Sequence, residues 1–217
     1  MNSRRIYVST MRAQQSAQTR AVVISAARVL FFEEGGYART SMSAIAQAAG
    51  VSVQTIYNTF GSKSGLLKAV YDTTLAGDDE PIPMGRRPEF LAMEREQDPS
   101  AFLHHYARIA AMLMKRLGPF YARIREGAGA GDPDLTALLE TTAKERLVGA
   151  TEVVDSLRRL GPLRPGLTAA RARDIVWTHT SYELWDLLVN QRGWSARAYS
   201  DYLGTSMSRA LLPDRAS

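Results

Sequence analysis

The polar side chains between Thr40 and Lys63 are the residues of this sequence whose types and spacing point to a definite binding chemistry. The stretch SVQTIYNTF, Ser52 to Phe60, carries Gln54, Thr55, Tyr57, Asn58 and Thr59 around only two obvious packing positions, Ile56 and Phe60. Hydroxyls, carboxamides and a phenol at this density are groups that bond to phosphate oxygens and to base edges in a major groove. So short and polar a segment is no core element, and its role must lie on its exposed face. Gln54 is the leading candidate for a base contact, because one carboxamide can donate to and accept from adenine at once. Lys63 is expected on a phosphate: a cation in the first turn of a helix opposes the helix dipole, and an anion placed there removes the conflict.

Enzyme chemistry finds less support. His104, His105 and His179 are the only histidines. His179 and Glu183 lie four apart and can share a helix face, a spacing used at metal sites, but a metal needs three or four ligands and a second shell. No third ligand suggests itself. The sequence has no Gly-rich phosphate loop, no nucleophile elbow and no carboxylate pair that a substrate would bridge. Without cysteine there are no disulfides, thiolate metal sites or thiol catalysis. The expectation is a protein without catalytic residues, metal or cofactor, with a metal-dependent enzyme as the third reading.

The elements that must hold these polar groups follow from local signals. Thr40 or Ser41 can cap a short helix that places Ile45, Ala46 and Ala49 on one apolar face. Gly50 supplies a left-handed stop, Val51 anchors the turn, and Ser52 caps the polar segment. Ser62 caps the next helix, predicted from Ser64 to about Ala76 with Leu66, Leu67, Val70 and Tyr71 inward. Two short helices about a Gly-containing turn are the helix-turn-helix arrangement of DNA-binding proteins. Thr40, Ser41 and Ser43 are expected to meet the DNA backbone from the first helix, and Ser52, Gln54, Thr55, Tyr57, Asn58 and Thr59 to belong to the face turned to the groove. Upstream, the pattern predicts a helix from Ser16 to Glu34 with Val23, Ala27, Leu30 and Phe31 on one side. Gly35-Gly36 ends it, and residues 1–15 read as a flexible basic arm.

The charge distribution agrees. Residues 1–63 hold Arg4, Arg5, Arg12, Arg20, Arg28, Arg39 and Lys63 against Glu33 and Glu34, which is the whole of the +5 formal charge. A basic excess confined to the segment with the helix-turn-helix is the electrostatic footprint of nucleic-acid binding.

The run from Arg20 to Tyr71 resembles the N-terminal domain of the tetracycline-repressor (TetR) family of bacterial transcriptional regulators. The resemblance is carried by Ala26-Ala27 with Leu30-Phe31, Gly36-Tyr37, Thr40-Ser41, Ile45-Ala46, Ala49-Gly50-Val51-Ser52, Thr55-Ile56-Tyr57, Phe60, Lys63 and Leu66-Leu67. Gln54 departs from it, standing where many relatives carry a small residue. The resemblance implies an all-α fold of about nine helices: a DNA-binding domain over 1–76, a linker over 77–99, and an effector-binding and dimerisation domain over 100–217.

The linker is rich in proline and charge, with a short helix expected between Glu89 and Glu96. Beyond it, helices are predicted from Ser100 to Leu117, broken at Gly118-Pro119, with a brief turn to Arg125, then Asp132 to Leu160, Thr168 to Asn190 and Ser195 to Leu212. The Thr168–Asn190 segment is apolar on two sides, as expected of a helix between two partners. In relatives the last two helices pair with their copies, which implies a homodimer. A palindromic operator with half-sites about 34 to 36 Å apart demands the same two-fold symmetry. The resemblance also implies an effector pocket, for which His105, Tyr106, Met112, Phe120, Tyr121, Trp177, His179 and Tyr182 are the candidate lining. Their aromatic character suits a small hydrophobic or aromatic effector. No stretch reaches the length of a membrane helix and no apolar leader follows Arg4-Arg5, so a cytoplasmic protein is expected. The sequence thus reads as a ligand-responsive repressor of double-stranded palindromic operator DNA, with an effector-independent architectural DNA-binding factor as the alternative.

Overall fold

The computed structural model describes residues 3–214, together with the side chains of residues 14–214 other than Glu34. Every regular element among them is helical: α1 (Ser3–Val29), α2 (Met42–Ala49), α3 (Val53–Phe60), α4 (Lys63–Ala76), α5 (Pro88–Glu94), α6 (Pro99–Gly129), α7 (Pro133–Leu160), α8 (Ala169–His179), α9 (Tyr182–Trp185) and α10 (Ala196–Leu211). The chain divides into two compact units. One is Met1–Asp79 with Glu126–Leu135, and the other is Glu80–Arg125 with Thr136–Ser217.

In the first unit α1 packs on α2 and α4, and α3 is held between α2 and α4. Val23, Ala27 and Phe31 from α1 and its final turn meet Ile45 and Ala46 from α2, Ile56 from α3, and Leu66, Leu67 and Val70 from α4, all of them buried. These are the positions that helical periodicity singles out. The helix starts at Ser3 rather than Ser16, so the expected arm over 1–15 is helical from its third residue. Its last turn, Leu30–Glu34, widens to π geometry, with the Gly35 amide reaching back to the Leu30 carbonyl at 3.2 Å. That extra residue per turn swings Phe31 against Tyr37, with ring centres 4.9 Å apart.

In the second unit the core joins Phe102, Leu103, Ala107 and Met114 of α6, Val153, Val154 and Leu157 of α7, Val176 of α8, and Tyr199, Leu203 and Met207 of α10. Here two expectations fail. No break occurs at Gly118-Pro119: α6 runs on to Gly129 with Pro119 inside it. The burial of Leu117, Phe120 and Ile124 on either side of the proline offsets the ladder bond it removes. Gly118 is there for space, since a Cβ would come within 3.1 Å of the Trp185 indole nitrogen. Conversely, the predicted helix from Thr168 to Asn190 is interrupted. The Thr180 hydroxyl bonds back to the Val176 carbonyl at 3.1 Å, while Ser181, in extended conformation, caps a new start through the Leu184 amide. Hydroxyls competing with the backbone ladder end the helix there. The new segment continues from Asp186 to Gln191 as wide π turns. The short helix expected between Glu89 and Glu96 is present as α5, and from Glu80 on the segment 77–99 belongs to the second unit.

Candidate nucleic-acid interface

Each end of the helix-turn-helix is fixed by a side chain or a glycine whose chemistry suits it. Ser41 accepts from the Ala44 amide, Ser52 from Thr55 and Ser62 from Gly65, so each short helix has one orphan donor satisfied at its start. Gly50 closes α2 at φ 65°, a left-handed conformation that costs a side chain about 1 to 2 kcal/mol. The Val51 amide then reaches the Ala46 carbonyl at 3.0 Å, which sets the angle at which α3 departs.

Ile56 is fully buried and anchors α3 from below. Opposite it, Gln54, Tyr57, Asn58 and Thr59 are exposed, with Tyr57 44% accessible despite its apolar ring. The Gln54 Nε2 donates to the Asn58 Oδ1 at 2.8 Å, one turn on. This bond orients both carboxamides and leaves the Gln54 oxygen and its second N–H free for a two-point contact. Ser52 and Thr55 share a hydroxyl bond of 2.8 Å, and the Thr59 hydroxyl donates to the Thr55 carbonyl. Ser41 and Ser43 are exposed on the flank of α2. The structure therefore gathers Ser41, Ser43, Ser52, Gln54, Tyr57, Asn58 and Thr59 on the surface, with Thr55 half-buried beside them.

Two of the expected contact residues are turned inward. Thr40 is buried, its hydroxyl 3.0 Å from the Leu30 carbonyl and 2.9 Å from that of Gly36. It closes the bend after the π turn and offers DNA nothing. Lys63 is half-buried, and its ammonium donates to the Tyr37 carbonyl at 2.6 Å while lying 4.2 Å from the centre of the Tyr37 ring. Desolvation lowers its pKa, with Asp132 and Asp134 opposing that shift. One of its three N–H donors is thus used within the protein. Lys63→Met is expected to destabilise the first unit by about 1 kcal/mol, the net worth of one hydrogen bond, since the Tyr37 carbonyl keeps the Thr40 amide at 3.2 Å. It should leave the salt dependence of DNA binding unchanged, whereas removing a phosphate contact lowers the slope by about one. Operator titrations at several salt concentrations distinguish the two.

A further support carries no local signal in the sequence. The Tyr37 hydroxyl donates to Asp134 Oδ2 at 2.5 Å, joining the helix-turn-helix to the Glu126–Leu135 segment of the same unit. Burial, followed by the bond to Asp134, holds the Tyr37 phenol protonated far above its usual range.

The candidate effector residues all lie in the second unit. Tyr121 and Tyr182 are stacked at 4.6 Å, Phe120 and Tyr182 are buried, and Met112 and Tyr106 pack on the core. His105 meets Glu96 at 3.2 Å and His179 the carbonyl of Ile175 at 2.8 Å. Only Trp177 of the eight borders the cavity of about 650 Å³ between α7 and α8, together with Ala143, Leu147, Lys144 and Arg173. The spacing of His179 and Glu183 makes no shared site: Glu183 pairs with Arg125 at 2.6 Å. Among the described residues no three His, Cys, Asp or Glu side chains gather as a metal site, and no helix is long and apolar enough to cross a membrane.

Comparison with known proteins agrees with this geometry. Residues 23–70, which hold the end of α1 and all of α2 and α3, match the family described as bacterial regulatory proteins, tetR family. No curated protein sequence matches the chain. Among solved structures, NalD, the secondary repressor of the MexAB-OprM multidrug efflux pump in Pseudomonas aeruginosa, is similar at 22% identity and TM-score 0.65, over 93% of this chain and 100% of that one. FadR from Bacillus subtilis, solved with stearoyl-CoA, is similar at 19% identity and TM-score 0.64, over 86% of this chain and 96% of that one. SmeT, solved with triclosan, gives 20% identity and TM-score 0.65, over 91% and 93%. Residues 23–70 thus carry a helix-turn-helix domain of the tetR family, set in a chain that has the helical fold of these solved structures.

Proposed function

We propose that the protein is a cytoplasmic, ligand-responsive repressor that binds a palindromic operator as a homodimer and is released by a small effector held in its second unit. The observation that carries this reading is α3: a helix anchored by one buried residue, Ile56, with two oriented carboxamides and a phenol on its exposed side. Gln54 reads a base, Asn58 holds it in place, and Tyr57, Thr59, Ser41 and Ser43 meet the backbone. Dimerisation through the last helices is supported by the exposed Leu187, Trp194 and Tyr202, large apolar side chains on that part of the second unit. Release by an effector is supported by the apolar, aromatic interior of the second unit and by relatives of the same fold that were solved with triclosan and with stearoyl-CoA.

Footprinting on the DNA upstream of the protein's own gene tests the reading. A protected palindrome whose affinity falls steeply with salt is the expected result. Protection of a single half-site by a monomer would overturn the dimeric reading, and protection unchanged by any effector would favour an architectural factor. Within the operator, Gln54→Ala is expected to cost about 1 to 3 kcal/mol and to relax the preference at one base pair. Tyr57→Ala should weaken cognate and mismatched sites equally. A Gln54→Ala variant that loses equally on both would remove Gln54 from base reading.

A further inference from the structure

Arg146 lies on α7, half-buried in the second unit, without a counter-ion among the described residues. Its Nη2 donates to the Trp177 carbonyl at 2.6 Å, and its guanidinium carbon sits 5.1 Å from the centre of the Trp177 ring. Its Nε is buried without a hydrogen-bond partner. Among the described residues no carboxylate pairs with it, whereas Arg164, whose Nε is likewise buried and unbonded, has Asp214 at 2.6 Å. A guanidinium that is half-buried, with its Nε shielded and one bond for five N–H donors, has an edge left over that an anion can occupy. The surroundings are of low polarity: the phenols of Tyr106, Tyr121 and Tyr199, all within electrostatic reach of Arg146, are pushed up by desolvation above everything else.

We propose that the effector is an amphipathic organic carboxylate, its carboxylate taking the free edge of Arg146 and its apolar body lying against Trp177. The planar fork of a guanidinium matches a carboxylate with two parallel bonds, and a single negative charge is what one arginine can neutralise. A phosphate dianion would leave one charge uncompensated among aromatic rings. Trp177, which stacks on Arg146, also borders the cavity lined by Ala143 and Leu147, so apolar surface adjoins the cation. Of the two carboxylates on that lining, Asp174 is paired with Arg173 at 2.8 Å, and Glu140 stands beside Lys144 in the lining. The proposal rests on the effector-responsive reading and narrows it to one ligand chemistry.

Calorimetric titration of the full-length protein with 2-naphthoate and with octanoate, each against its neutral amide, tests it. Binding of at least one carboxylate about tenfold or more tighter than its amide is expected, and Arg146→Gln should remove that preference. Arg146→Lys, which keeps the charge but not the fork, should retain only part of it, and serves if the glutamine variant does not fold. No saturable binding of either carboxylate, equal affinity for acid and amide, or a preference that survives Arg146→Gln overturns the proposal. Adding the ligands to the operator complex separates the two readings. Release by an amide, equal in wild type and variant, sinks the anion site but leaves an effector-responsive regulator; an acid that binds through Arg146 yet releases no DNA does the reverse.

Discussion

Gly65→Ala is expected to abolish operator binding while the second unit stays folded. Gly65 stands in the first turn of α4, where its amide donates to the capping Ser62 hydroxyl at 2.9 Å. The chain arrives there from α3 through Gly61 at φ 75°, a bend that lays the Phe60 carbonyl over the start of α4. A Cβ on Gly65 would fall 2.2 Å from that carbonyl oxygen. The obstacle is backbone, so no rotamer change relieves it: either α3 shifts or the turn opens. Forced overpacking of this kind costs about 3 kcal/mol, a large part of what a small helical unit has in reserve. By contrast Gly61→Ala meets open space and bears only the strain of its positive φ, about 1 to 2 kcal/mol. All three tryptophans lie in the second unit. Tryptophan emission should therefore be unchanged in Gly65→Ala while helical circular dichroism and DNA affinity fall. A variant that binds operator as wild type does would show that the α3–α4 turn is free to open.

What could be read from the sequence was whatever depends on neighbours along the chain. Ser41, Ser52 and Ser62 cap the helices they precede, Gly50 takes the left-handed stop, and the buried faces of α1 to α4 follow helical periodicity. What could not be read depends on residues far apart. Nothing near Lys63 announces that Tyr37, 26 positions earlier, holds its ammonium with a carbonyl at 2.6 Å. Thr40 looks like a cap until the π turn at the end of α1 presents it with two carbonyls. Tyr37 and Asp134 are 97 residues apart, and nothing in either neighbourhood announces their bond. Pro119 breaks a helix by local rules, and only the burial of its neighbours overrides them. Arg146 is one of many arginines in sequence and becomes distinctive only when its neighbours prove aromatic and no carboxylate among the described residues pairs with it. The exposure of the polar groups on α3 was legible because it is decided locally by the absence of apolar residues. An effector site is built from the interior of several helices, and its residues are indistinguishable by type from core.

The second unit is expected to lose stability steeply above about pH 10, the region in which free tyrosine ionises. Tyr106, Tyr121, Tyr182 and Tyr199 all have raised pKa values, with desolvation the largest cause in each. Arg146 opposes the shift at Tyr106, Tyr121 and Tyr199, whereas Asp186 adds to it at Tyr182. The sign follows from proton counting. A group whose pKa is higher folded than unfolded keeps its proton in the native state after the unfolded chain has released it. Its contribution is therefore fully present below the unfolded pKa and is lost as pH rises from there towards the folded one. Each such tyrosine adds at most about 1.4 kcal/mol to the fall in stability per pH unit, so four acting together exceed what ordinary surface titration produces. Tyr199 contributes most clearly, since it is fully buried and packed edge-on to Trp185 at 4.9 Å, its hydroxyl 3.4 Å from the His179 carbonyl. Urea unfolding followed by tryptophan emission between neutral pH and about pH 11 should show this slope, and Tyr199→Phe should flatten it by one tyrosine's share after its own loss at neutral pH is subtracted. A stability that stays level above about pH 10 would mean that these phenols ionise in the folded unit as readily as in water, and that the interior around Arg146 is open to solvent.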